Sequence, residues 1–134
     1  MIKQLAHICI HTTDLERTLW FYTDVLGLEK AFDFERQGLP FGCYIKLGGT
    51  SFIDVFQGEP GEVGTINLVA IEVEDMDGLI ARIRDQGVEV GEKTLGADHS
   101  WQVWITDPNG LRIEFHEYTP DSMQLVGGPC VVVW

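Results

Sequence analysis

Alternation of apolar and polar positions organises most of this chain into short strands. Residues 2–11 place Ile8 and Ile10 on one face and His7, Cys9 and His11 on the other, which predicts a strand. Residues 13–26 switch to a helical period. Leu15, Leu19, Tyr22 and Leu26 form its core stripe, Thr13 and Glu16 stand at capping-box spacing, and Gly27 is the stop. Strands follow over 28–36, 40–47 and 50–57, the last two joined by a Gly48-Gly49 turn. Residues 58–65, rich in glycine, read as a linker. The same order then returns. A strand spans 66–73, and a helix spans 75–86 with Met76, Leu79, Ile80 and Ile83 inward and Gly87 after it. Strands are predicted near 88–94, 100–106 and 110–118, with a tight turn at Asp107-Pro108-Asn109-Gly110.

The two runs form an internal repeat, offset by 60 to 61 positions. Leu5–Ile10 answers Ile66–Ile71, Asp14 answers Asp75, Gly27 answers Gly87, Ile45 answers Ile105 and Asp54 answers Glu114. The predicted class is α+β: two tandem βαβββ modules (2–57 and 66–118) in one domain, forming a curved mixed sheet that encloses a concave pocket, with helices outside. Strand alternation sends Ile8, Ile10, Ile53, Val55, Ile113 and Phe115 to the helix side. It sends His7, Cys9, His11, Phe52, Asp54, Phe56, Leu68, Ala70, Glu72, Arg112, Glu114 and His116 to the other. A pure core face does not carry so many polar groups, because each buried one needs a partner. A duplicated unit is expected to bring matched positions together, here His7, Asp54, Glu114 and Leu68.

Composition narrows the partners. A formal net charge of −12 excludes the basic face that nucleic acid or an anionic membrane requires. Cys9, Cys43 and Cys130 form no CxxC pattern. Cys9 and Cys43 read as buried free thiols, implying a reducing compartment. The N-terminus runs into a strand without a signal-peptide layout, and no apolar run reaches membrane-spanning length, so the cytoplasm is expected. The tail, 119–134, leaves the repeat and ends in a strand-prone run, Pro129–Trp134, expected to form an extra edge strand.

The opening LAHICIHTTDLERTLWFYTDVLGLEK, the second-half VAIEVEDMDGLIARIRDQGVEV and the closing ITDPNGLRIEFHEY resemble the vicinal oxygen chelate superfamily, which includes glyoxalase I, bleomycin-resistance proteins and extradiol dioxygenases. The resemblance covers about residues 3–118. It implies metal ligands on the first and last strands of each module, here His7, Asp54, Leu68 and Glu114. Leucine cannot ligate. His116, two residues from Glu114 on the same strand face, is the first substitute, and His99 the second. His11, four residues from His7, stands too far along the strand to share an ion with it.

Imidazole and carboxylate donors suit Zn, Ni, Fe or Mn. The bland readings are a hydrogen-bonded His7, an Asp54 paired with Arg112 or Lys46, and a solvated His116 at a strand end. Glu114, centred between Ile113 and Phe115, needs a cation or a proton. Phe52, Phe56, Trp104, Arg112 and Tyr44 are candidate substrate contacts, and Glu114 and Asp54 candidate catalytic groups. The implied function is a glyoxalase-like lyase or isomerase acting on a small molecule, as a homodimer. The alternative is a metal-free drug-binding protein of the bleomycin-resistance type. A dioxygenase fits least, because its second histidine is missing.

Overall fold

A computed structural model describes residues 5, 7–49, 51–61, 68–127 and 130–131. The chain divides into two compact units, Met1–Val63 and Gly64–Trp134. In the first, β1 (His7–Thr12) leads to α1 (Leu15–Trp20) and a π-helical turn (Phe21–Val25), then to β2 (Glu29–Arg36), β3 (Leu39–Gly48) and β4 (Ser51–Gln57). In the second, β5 (Val69–Glu72) leads to α2 (Met76–Asp85), β6 (Thr94–Leu95), β7 (Trp101–Thr106) and β8 (Arg112–Glu117), followed by a short α3 (Met123–Val126).

Each unit carries a four-stranded mixed sheet, ordered β1-β4-β3-β2 in the first and β5-β8-β7-β6 in the second. The repeat extends to register. Parallel pairing sets Cys9 against Asp54 in one unit and Ala70 against Glu114 in the other. Antiparallel pairing sets Tyr44 against Asp54 and Trp104 against Glu114. The buried faces match as well. Ile10, Cys43, Ile45, Ile53 and Val55 are buried in the first unit along with Phe21, Tyr22 and Val25, and Val103, Ile105, Ile113 and Phe115 are buried in the second along with Met76, Ile80 and Ile83.

Both helices begin at an aspartate. Asp14 accepts a hydrogen bond from the Arg17 amide at 3.0 Å, and Asp75 accepts one from the Gly78 amide at 3.1 Å. Thr13 is therefore not the cap. The carboxylate one residue later reaches the orphan amides, and Thr12 Oγ1 accepts from the Asp14 amide. The helical stripe also turns from its expected position. Thr18, Phe21, Tyr22 and Val25 are buried, whereas Leu15, Leu19 and Leu26 are only half-buried. The π-helical turn contributes only from Phe21 on, since its wider winding rotates the side chains that follow, Leu26 among them. From Asp14 to Gly27 the first module spans 13 steps, and from Asp75 to Gly87 the second spans 12. The first helix thus holds one residue more, and the π turn accommodates it. Gly27 and Gly87 then adopt φ values of 77° and 72° at the helix ends, a region that costs glycine little.

Two further expectations change. The strand predicted near 88–94 is only β6, because residues 88–93 make no regular ladder apart from the Gly91 amide on the Trp104 carbonyl at 2.9 Å. Cys9 is exposed, since its strand face is not covered by the helix, while Cys43 is buried. In the tail, 128–129 and 132–134 lie outside the described residues, and Cys130 and Val131 belong to no strand. Residues 119–126 form a turn and α3, held by hydroxyl and amide hydrogen bonds. Among the described residues, no helix is long and apolar enough to cross a membrane.

Candidate functional site

The predicted site residues fall into two groups, one in each unit. In the first, His7 on β1, Tyr44 on β3 and Asp54 on β4 share the sheet face away from the buried isoleucines, as the register dictates. The Tyr44 hydroxyl lies 3.0 Å from His7 Nδ1, and His7 Nε2 lies 3.8 Å from Asp54 Oδ2. With Nδ1 engaged by Tyr44, Nε2 is the ring nitrogen turned toward the carboxylate. Within its unit, Asp54 does not pair with Lys46. Lys46 instead meets Glu29 at 3.8 Å, and the Arg112 guanidinium stacks on the Trp104 ring at 4.7 Å.

Asp54 is only 7% exposed, and its Oδ1 is buried with no hydrogen-bond partner among the described residues. Such an orphaned acceptor is costly unless a cation or proton completes it. Its neighbour Cys9 feels the carboxylate. Desolvation, then the charge of Asp54 and a hydrogen bond to it, push the thiol up to about 11. Cys9 therefore stays protonated at neutral pH and is a poor nucleophile.

Aromatic rings continue this face. Tyr44 stacks on Phe32 with centroids 4.8 Å apart and touches Phe52 at 5.0 Å; Phe56 meets Phe34 at 4.9 Å and Phe41 at 5.3 Å. Phe32, Phe34 and Phe41 were missed as site candidates, although Phe32 and Phe34 alternate along β2. His11 lies edge-on to Phe56 at 6.4 Å.

The second unit builds a different pairing. Glu114 Oε2 lies 3.0 Å from His116 Nε2, and His116 Nδ1 lies 3.7 Å from Asp98 Oδ2. The side chains of Glu114 and His116 are each 12% exposed, so His116 is not a solvated strand end. Burial alone would raise the Asp98 carboxyl, but hydrogen bonds from Gln124 and Ser100 and the nearby His116 hold it below the ordinary carboxylate value. His99 sits at φ 62° in the loop before β7, with Nδ1 3.3 Å from the Asp121 carbonyl, so it is engaged by the tail.

Each unit thus pairs one carboxylate with one imidazole. The first uses His7 from β1. The second has Leu68 at the matched position, just before β5, and uses His116 from β8 instead. Among the described residues, no three His, Cys, Asp or Glu side chains stand together in a way that could hold a metal ion. The donor chemistry of His7 and Asp54 nevertheless fits a divalent cation. One ring nitrogen is oriented by a hydroxyl, the other faces a carboxylate, and a buried oxygen lacks a partner.

Residues 4–115 match the Glyoxalase/Bleomycin resistance protein/Dioxygenase superfamily. The chain belongs to that superfamily. Its curated relatives include a probable lactoylglutathione lyase of Synechocystis sp., 28% identical over 120 residues and covering 82% of this chain and 92% of that protein. The fosfomycin resistance protein FosX of Listeria innocua is 27% identical over 124 residues, covering 89% of this chain and 92% of FosX. Among solved structures, TnmS3, an antibiotic binding protein from Streptomyces sp. CB03234, aligns with a TM-score of 0.74 over 88% of this chain and 98% of its own, at 18% identity. At that identity the likeness speaks to fold alone. A probable lactoylglutathione lyase and a fosfomycin resistance protein are thus among the relatives of this chain.

Proposed function

We propose that this chain is a small-molecule enzyme of the glyoxalase type that works with a divalent cation. The donors are His7 with Asp54 in the first unit and Glu114 in the second, a mixture that suits Zn, Ni, Fe or Mn. The observation that carries the reading is the buried, unpartnered Oδ1 of Asp54 beside an oriented imidazole. A bound divalent cation polarises substrate oxygens and stabilises the negative charge that develops next to a carbonyl. Tyr44 holds the His7 ring in place, which keeps Nε2 available. In the second unit Glu114, 3.0 Å from His116, is the carboxylate positioned to accept a proton. The Phe32, Phe52 and Phe56 rings offer an apolar wall against which a small substrate is desolvated. The relationship to a probable lactoylglutathione lyase and to FosX supports an enzyme that acts on a compact oxygenated substrate.

The test is calorimetric titration of chelator-free protein with Co²⁺, repeated with Zn²⁺, Ni²⁺, Mn²⁺ and Fe²⁺. His7→Ala and Asp54→Asn should each weaken binding at least about tenfold. Absence of affinity for all five ions would remove the reading.

One observation favours a second reading. The connected rings of Phe32, Phe34, Phe41, Tyr44, Phe52 and Phe56 form a surface suited to a planar ligand, and the acidic chain would attract a cationic one. A metal-free binding protein of the bleomycin-resistance type follows. Titration with basic, planar antibiotics discriminates: micromolar binding unaffected by chelator supports it, and uniform absence of binding rejects it.

A further inference from the structure

Glu114 is a long side chain on a strand, and nothing in a strand fixes a carboxylate in one orientation. In this chain a continuous set of contacts runs from Glu114 to the segment after β8. His116, two residues on and sharing the face, touches Glu114 through Nε2 at 3.0 Å. An imidazole held at one nitrogen can still swing about its ring bond, but here the other nitrogen faces Asp98 at 3.7 Å. Asp98 is itself held from several sides. The Ser100 amide donates to its Oδ1 at 3.2 Å and Gln102 Nε2 to the same atom at 3.3 Å, while Gln124 Nε2 donates to Oδ2 and the Met123 amide donates to the Asp98 carbonyl at 2.8 Å.

The loop that carries Asp98 is held in a conformation it would not choose alone. His99 adopts φ 62°, a region that L side chains rarely adopt. Its carbonyl accepts from Thr119 Oγ1 at 2.8 Å and from Ser122 Oγ at 3.2 Å. Ser100 and Ser122, both fully buried, donate and accept across the same junction at 3.0 Å. Buried hydroxyls satisfied by each other define one geometry, since neither tolerates losing its partner. The first module has no counterpart. Phe56 stands where the repeat places His116, and Asp54 is met by His7 from a different strand.

We infer that the 119–126 segment is a strut for the site: through Gln124, Asp98 and His116 it orients the Glu114 carboxylate, making these three positioning residues. The inference rests on the reading of Glu114 as the functional carboxylate. It explains why a tail outside the repeat is tied so densely to one loop. It also explains how the second module manages with leucine at position 68, since orientation of its carboxylate comes from the opposite end of the module.

The experiment uses the full chain labelled with ¹³C-glutamate, the Glu114 carboxyl resonance being assigned by Glu114→Gln. Gln124→Ala, at an exposed position, and Asp98→Asn should shift and broaden the Glu114 signal while leaving that of Glu35, exposed on β2, in place. His116→Phe should do the same, and His116→Gln, which keeps a side-chain N–H, should restore most of the native signal. In parallel, Co²⁺ titration should show about tenfold weaker binding for Gln124→Ala and Asp98→Asn. An unmoved Glu114 resonance in Gln124→Ala and Asp98→Asn overturns the strut, whatever happens to Co²⁺. Shifted Glu114 resonances with no Co²⁺ affinity in any variant or in the native chain uphold the strut and reject the metal-dependent function.

Discussion

The Cys9 thiol reports on the charge of Asp54 without any ligand or substrate. Its ordinary value of 9.0 is raised to about 11, first by desolvation, then by the charge of Asp54 and the hydrogen bond to it. At pH 8 a thiol of ordinary value is about 9% thiolate, whereas one at about 11 is about 0.1%, roughly a hundredfold less. The more basic thiolate is also the better nucleophile, which recovers about tenfold, so the net rate of exchange with a small neutral disulfide should be about tenfold slow. The pH profile is sharper than the rate. Exchange at Cys9 should keep rising past pH 10, while a short cysteine peptide levels off near pH 9. Mass spectrometry of the peptides separates Cys9 from Cys43 and Cys130. Asp54→Asn removes the second and third causes and leaves desolvation, so the profile should move down without reaching that of the peptide. A Cys9 profile that levels off with the peptide's, with Asp54 intact, would refute the placement of thiol against carboxylate. The sign for stability follows. Folding favours the neutral thiol, so its contribution is fully present below 9.0 and is lost as pH rises toward about 11.

Leu68→His, which gives the second unit the imidazole that the first has in His7, should raise Co²⁺ affinity about tenfold by calorimetry; unchanged affinity would mean that position 68 is no part of the site. Asp98 is held below the ordinary carboxylate value, so its stabilisation is present above about pH 4 and fades as pH falls through its lowered value. The protection factor of the Met123 amide, whose N–H donates to the Asp98 carbonyl, should fall on acidification, and Asp98→Asn should flatten that response. Ile113→Ala deletes most of a side chain that is 1% exposed beneath Glu114 and should cost about 2–5 kcal/mol in denaturant unfolding. Asp14→Ala removes a helix cap and should cost about 1 kcal/mol by the same measurement.

The framework was legible because burial writes itself into sequence with a period. Ile53 and Val55 in β4, and Ile113 and Phe115 in β8, alternate with the polar positions of the open face, and the glycine stops at 27 and 87 mark where each helix ends. The pairing of His116 with Glu114 was half legible, since two residues on a strand share a face. Asp98 was not. It lies in a loop 18 positions upstream, and no periodicity brings a loop carboxylate to a strand imidazole. The segment just before the tail's apolar run was not legible for a related reason. Apolar content predicted a strand, while the structure near it depends on hydroxyls at Thr119 and Ser122 whose partners are distant in sequence. Phe32 and Phe34 were readable as strand residues but not as site residues, because ring contacts with Tyr44 and Phe56 follow from register.

The π-helical turn at Phe21–Val25 bears on the history of the chain. A duplicated gene starts with two identical copies, and an indel in either copy threatens to slide every downstream strand onto its wrong face. Here the length difference between the copies falls inside the helix. A wider coil absorbs it, and the sheets on either side keep matching registers. The first helix therefore acted as an expansion joint. It let one copy change length while the positions carrying Asp54 and Glu114 stayed in step, leaving the copies free to diverge in chemistry at His7 and Leu68.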